Sequence, residues 1–247
     1  MLWILNLIAA ISVLEALDYF FLRKSEGFLK ILGLGFVIIV SPLLPFLAPE
    51  IPILRFAIAM FSFNKIIKSI EISFNRVKDP KMLESYFRYL FWSLNFPDTS
   101  WPLDSEESKN NRKEGFLRLV RGFIKLLVIG ALIFVGFKFR WISNQYPFSI
   151  VWFMLVAYFS FSGLYDFISG FSMQSGIYFA EMFNSPLTSR SPREFWGKRW
   201  NLYFRDVAHR NVFIPIGGSK RPVIAVALVF FISALMHEFL IFASTGG

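Results

Sequence analysis

Two places near the C-terminal end hold residues whose types could do chemistry. One is His237, inside the last long apolar run from Pro222 to Phe242; the other is Asn201, which closes the basic, aromatic string Ser191 to Asn201. Histidine is a base near neutral pH, and an ionisable group inside a hydrocarbon-spanning segment is costly to place. A basic loop feeding such a segment points to chemistry on a lipid-soluble or membrane-delivered substrate. The sequence has no cysteine, which excludes thiolate nucleophiles, disulfides, iron–sulfur clusters and cysteine-based zinc sites. Its two histidines are a poor start for a metal centre, so no metal and no cofactor is expected.

The elements that must position these residues are membrane helices. The chain has 247 residues, 55% of them hydrophobic with 32 Phe, far more apolar than an average soluble domain. Against the roughly 20 residues a helix needs to cross the hydrocarbon, about six segments qualify: Leu2 to Leu22, Gly27 to Leu47, Ile51 to about Ile70, Phe123 to Phe139, Phe148 to Phe171, and Pro222 to Phe242. The expectation is an all-α polytopic membrane protein, residues 1–247 forming a single membrane-embedded domain, with interfacial or re-entrant helices besides the spans. The third segment requires Lys65 and Lys68 to snorkel, and the prolines at 42, 45, 49 and 52 place a tight hairpin before it. The first segment reads as a retained helix, not a cleaved leader, because no positive residue precedes it and Glu15 and Asp18 lie inside it. Those two acids share a helical face and should look toward protein or water.

The net charge of +9 is concentrated in two stretches, Lys65 to Lys125 and Arg190 to Arg221. Two spans separate them, so both are expected on the cytoplasmic side, facing anionic lipid head groups, with the N-terminus outside. Nucleic acid is not an expected partner.

Ahead of the basic string, Ile177, Phe179, Met182 and Phe183 make an incomplete apolar stripe that predicts a helix at the interface or lining a cavity. A new helix is expected at Ser191: Ser191 as N-cap, Pro192 in the first turn and Glu194 three residues after the cap. On it, Phe195, Arg199 and Leu202 share one face, and Trp196, Trp200 and Tyr203 form an aromatic stripe beside it. By itself such a pattern also describes a plain interfacial anchor.

The ordered set SPREFWGKRWNLYFRD, then NVFIPIGGSKRP, then an apolar span containing SALMHEF resembles the membrane-bound O-acyltransferase family, with FWGKRWN most similar to its wax synthase-like branch. Tyr165-Asp166 sits where such proteins carry a Tyr-Ser-Asp motif, so the resemblance runs from about residue 165 to 242. It implies transfer of an acyl group from acyl-CoA, the donor substrate, to a hydroxyl. His237 corresponds to the family's histidine and would remove the hydroxyl proton, while Asn201 corresponds to its second polar residue and would hold the thioester carbonyl. Trp196, Arg199, Trp200, Arg193, Lys198 and Asp166 are the matching candidates for substrate binding. Arg193, Lys198 and Arg199, with Arg205 and Arg210, suit the phosphates of CoA.

A lipid hydroxyl such as a long-chain alcohol is the expected acceptor. The IPIGG string instead resembles the branch that acylates polysaccharides and cell-wall polymers. A third reading is a non-enzymatic transporter or scaffold in which His237, Asp166 and Glu15 form a polar pathway. The family carries further apolar helices after its histidine, so a sequence ending at Gly247 reads as a truncated or minimal member.

Overall fold

A computed structural model describes residues 2–139 and 146–246. Five helical segments are long and apolar enough to cross a membrane: Leu2–Leu22, Gly27–Leu47, Ser105–Lys138, Phe148–Ser175 and Pro222–Thr245. This is an all-α integral membrane protein, and its described strands are two residues long. The third apolar segment is not among the five. It forms a helix, Pro52–Ser73, but Lys65 and Lys68 do not snorkel; both are fully buried and ion-paired. The chain divides into two compact units, Met1–Asp98 with Tyr203–Gly247, and Thr99–Leu202.

In the first unit, α1 (Leu2–Ala16) continues as a π-helical turn through Leu22, and α2 (Gly27–Val40) continues as a 3₁₀ segment, Ser41–Leu47. The prolines that follow carry the chain into α3 (Pro52–Ser73), which packs against the last helix, here α9 (Pro222–Thr245). Ala59 of α3 meets Leu240 and Ala243 of α9, flanked by Phe56, Met60, Met236 and Phe239. A second apolar cluster joins Ile67 to Tyr203 and Val207 of α8 (Leu202–Ala208), with Phe63 and Phe96 beside it. The polar face of α3 is covered by α1 and by α4 (Tyr86–Leu94), which explains how its lysines are withdrawn from solvent.

The second unit is built on two long helices, α5 (Ser105–Lys138) and α6 (Phe148–Ser172). Asp104 caps α5, accepting from the backbone N–H groups of Glu106 and Glu107 at 2.9 and 2.8 Å. The two helices run antiparallel and approach closely through glycines: a β-carbon on Gly122 would stand 2.6 Å from the Phe167 backbone nitrogen, and one on Gly136 would stand 2.2 Å from the Trp152 ring. Gly115 and Gly170 meet in the same way farther along. In lipid, helices gain little from hiding apolar surface, so close backbone packing at small residues supplies the association.

The helix expected around Ile177, Phe179, Met182 and Phe183 does not form. Gly176, at φ +90°, ends the preceding turn, and Tyr178–Phe179 pairs as a short strand with Thr99–Ser100. Four apolar residues in an incomplete stripe do not distinguish a helix from an extended segment packed against neighbours.

Candidate active site

The basic, aromatic string begins as the sequence indicates. The Ser191 hydroxyl accepts from the Glu194 N–H at 3.1 Å, and the Glu194 carboxylate reaches back to the Arg190 N–H at 2.9 Å. Those contacts to Arg190 and then Arg199 hold the Glu194 carboxyl below the ordinary carboxylate range. The helix then departs from expectation. After one short turn, α7 (Pro192–Glu194), it widens to a π-helical turn, Phe195–Arg199, and stops, so Asn201 and Tyr203 do not continue it. Trp200 is extended and Asn201 takes a left-handed conformation at φ +42°. The neighbouring loop stabilises this break: the Asn184 N–H donates to the Arg199 carbonyl, and the Leu202 N–H to the Met182 carbonyl, both at 2.9 Å.

Arg199 does structural work here. Its guanidinium donates to Glu194 at 2.7 Å and to the Thr188 hydroxyl at 2.9 Å, tying loop 184–188 to the turn. Trp200 stacks on Phe195 with ring centroids 5.3 Å apart and meets Phe183 edge-on at 5.2 Å. Trp196, Arg193 and Lys198 stand exposed on the same turn.

Asp166 is engaged by its own hairpin. Arg121 holds it through two hydrogen bonds of 2.7 and 2.8 Å, and Lys125 reaches it at 2.5 Å while also donating to Ser162. Arg121 further contacts Glu181 at 3.0 Å. This ion-paired group, in which Asp166 is buried and Arg121 half exposed, could not be anticipated from either helix alone, because the partners are more than forty positions apart in the sequence.

His237 lies on α9, in the first unit, on an exposed face; Asn201 belongs to the second unit. The His237 Nδ1 is 2.7 Å from the Ser233 carbonyl oxygen. A carbonyl can only accept, so Nδ1 donates the hydrogen bond, and in the neutral tautomer that keeps this bond the lone pair sits on Nε2. That is the form a general base requires. His209 is exposed and stacks on Phe213.

Two groups proposed for CoA phosphates have other partners. Arg205 pairs with Asp206, and Arg210 donates to Glu71 at 2.6 Å and Asp98 at 2.9 Å, in a buried network that includes Lys68. Burial would raise the Asp98 carboxyl, but Lys68 and Arg210 hold it below its ordinary value; burial pushes Glu71 up. Tyr203 donates to Asn64 at 2.7 Å, and burial pushes its phenol well up. Between α3, α8 and α9 lies an almost wholly apolar cavity of about 150 Å³, lined by residues including Phe63, Ile67, Ile70, Phe204, Val229 and Ile232. Among the described residues, no three His, Asp or Glu side chains gather as metal ligands.

Residues 179–247 match the membrane bound O-acyl transferase family. A probable alginate O-acetylase of Pseudomonas aeruginosa is 29% identical over 112 residues, 43% of this chain and 21% of that protein. A probable long-chain-alcohol O-fatty-acyltransferase of Arabidopsis thaliana is 35% identical over 69 residues, 25% of this chain and 20% of that protein. An acyl-CoA–sterol O-acyltransferase of the same plant is 31% identical over 67 residues, 24% of this chain and 19% of that protein. The chain therefore spans about a fifth of the length of the curated relatives it matches. No solved structure matches it.

Proposed function

We propose that this chain, whose residues 179–247 match the membrane bound O-acyl transferase family, takes part in transferring an acyl group from acyl-CoA to the hydroxyl of a lipid such as a long-chain alcohol. The observation that carries the reading is the His237 ring, held through Nδ1 to the Ser233 carbonyl, a contact that leaves Nε2 as the nitrogen to accept a proton. A hydroxyl is a poor nucleophile at neutral pH. In this reading Nε2 takes its proton as the oxygen bonds to the thioester carbonyl carbon; the carbon–sulfur bond then breaks, and the proton passes to the departing CoA thiolate. The products are an ester and free CoA.

In the second unit, Asn201, held in a left-handed backbone conformation, is the proposed donor of an amide N–H to a thioester carbonyl as negative charge grows on its oxygen. Arg193 and Lys198 meet the CoA phosphates from the cytoplasmic side, where the basic stretches 65–125 and 190–221 lie, and Trp196 and Trp200 shape the entry. Arg199 and Asp166 support this site by holding its loop and its hairpin. The apolar cavity in the unit that carries His237 favours a hydrocarbon-bearing acceptor.

A second reading, acylation of a polysaccharide, is favoured by the IPIGG string at 214–218 and by the alginate O-acetylase, whose match covers 43% of this chain. Purified protein is incubated with radiolabelled acyl-CoA and either long-chain alcohols or soluble polysaccharides. Lipid ester formed by wild type and lost in His237→Ala supports the first reading; labelled polysaccharide supports the second. Ester formation unaffected by His237→Ala removes the proposed base, and no turnover with either acceptor removes the function.

A further inference from the structure

The buried cluster around Lys65 does not balance its charges. Glu15 and Asp18, on the first apolar helix, are 1% and 0% exposed, and the one cation within ion-pair distance of them among the described residues is Lys65, at 2.8 and 2.7 Å. If all three were ionised, the cluster would carry one excess negative charge with no water to solvate it. Isolated buried charge of that kind is strongly disfavoured.

The groups packed around the pair cannot supply the missing charge. From α3 come Lys65 and Ser69, whose hydroxyl donates to Asp18 at 2.6 Å. From α4 come Ser93 and Tyr89, whose hydroxyl donates to Glu15 at 2.5 Å and accepts from Lys65 at 3.0 Å. Lys68, one turn along α3, is paired with Asp98. Lys30, the one cation of α2, forms no ion pair with either acid. All these donors go to one oxygen of each carboxylate. Glu15 Oε1 and Asp18 Oδ1 are buried with no hydrogen-bond partner among the described residues.

We infer that the Glu15–Asp18 pair binds one proton in the folded protein, carried on one of the two oxygens left open. Two carboxylates that share a site do not both ionise, and with one proton bound the cluster is neutral. The lysine and both hydroxyls then stay as observed, and one open oxygen becomes a donor.

Infrared spectroscopy of the full chain in detergent at pH 7 tests this. The expected result is a protonated-carboxyl C=O band that is sensitive to deuterium and is lost in both Glu15→Gln and Asp18→Asn, each of which neutralises the cluster without a proton. Glu71→Gln removes any contribution from Glu71, the buried acid of the Lys68 network whose carboxyl burial pushes up. A second measurement compares two proteins: unfolding Glu71→Gln at pH 7 releases about one proton more per chain than unfolding Glu71→Gln that also carries Glu15→Gln, since the unfolded carboxylates ionise. The inference is overturned if the band is absent from the wild type, if it survives either substitution, or if Glu15→Gln leaves the proton release on unfolding unchanged. A melting temperature that rises with Na⁺ or K⁺ in wild type and not in the variants also overturns it, assigning the site to a metal cation.

Discussion

Gly122 of α5 faces Phe167 of α6 so closely that a β-carbon on the glycine would lie 2.6 Å from a backbone nitrogen, an atom that cannot rotate away. The helices must separate to admit any side chain there. Gly122→Leu is expected to lower stability by more than the ~1–3 kcal/mol typical of overpacking, because backbone rather than side chain is displaced. Gly130, on the same helix with open space where its β-carbon would go, is the control: Gly130→Ala leaves the melting temperature in detergent unchanged or slightly raised.

Asp166 neutralises two cations from α5 at once. Asp166→Asn leaves Lys125, largely buried, without its carboxylate, while Arg121 keeps Glu181. The expected loss is about 1–3 kcal/mol, the cost of a poorly satisfied buried group, read as a lower melting temperature. Binding of substrate by Asp166 itself would give another result: unchanged stability and a raised KM for acyl-CoA.

At Asn201, backbone and side chain can be separated. Its φ of +42° suits Gly and Asn but costs other L-residues roughly 1–2 kcal/mol. Asn201→Gly keeps the left-handed backbone and deletes the amide, so it should lower turnover about 10²-fold or more, as for loss of one oxyanion donor. Asn201→Ala should lose stability as well. Full turnover in Asn201→Gly would remove the amide from the chemistry.

The network of Asp98, Glu71 and Arg210 makes the acid limb of stability predictable in sign. Asp98 is held below its ordinary value, so its contribution is complete above the unfolded carboxylate value of about 4 and is lost as pH falls through the folded one. Glu71, raised by burial, acts oppositely: its contribution is present in acid and lost as pH rises through its folded value. Melting temperatures followed into acid should fall for wild type and fall less for Asp98→Asn, which begins from a lower value at neutral pH.

What could be read along the chain was local. The spans follow from runs of apolar residues, and the start of the turn at Ser191 from a cap and its Glu194 three positions on. Gly217 and Gly218, both at positive φ, make the turn into α9 that their types suggest. The match of residues 179–247 to a family likewise lies in one continuous segment.

Tertiary structure decided what depends on residues far apart. Lys65 and Lys68 read as snorkelling side chains because Glu15, Asp18 and Asp98, which withdraw them from solvent, lie some thirty to fifty positions away. Arg210 and Asp166 have no partner visible along the sequence; Glu71, Arg121 and Lys125 are brought against them only by the fold. The break at Asn201 depends on carbonyl and amide groups of residues 182–184, because a helix continues until another segment offers its backbone a better set of hydrogen bonds. Composition and periodicity report a residue's preference for lipid, water or a helical face; which opposite charge or backbone group meets it is a property of the folded chain.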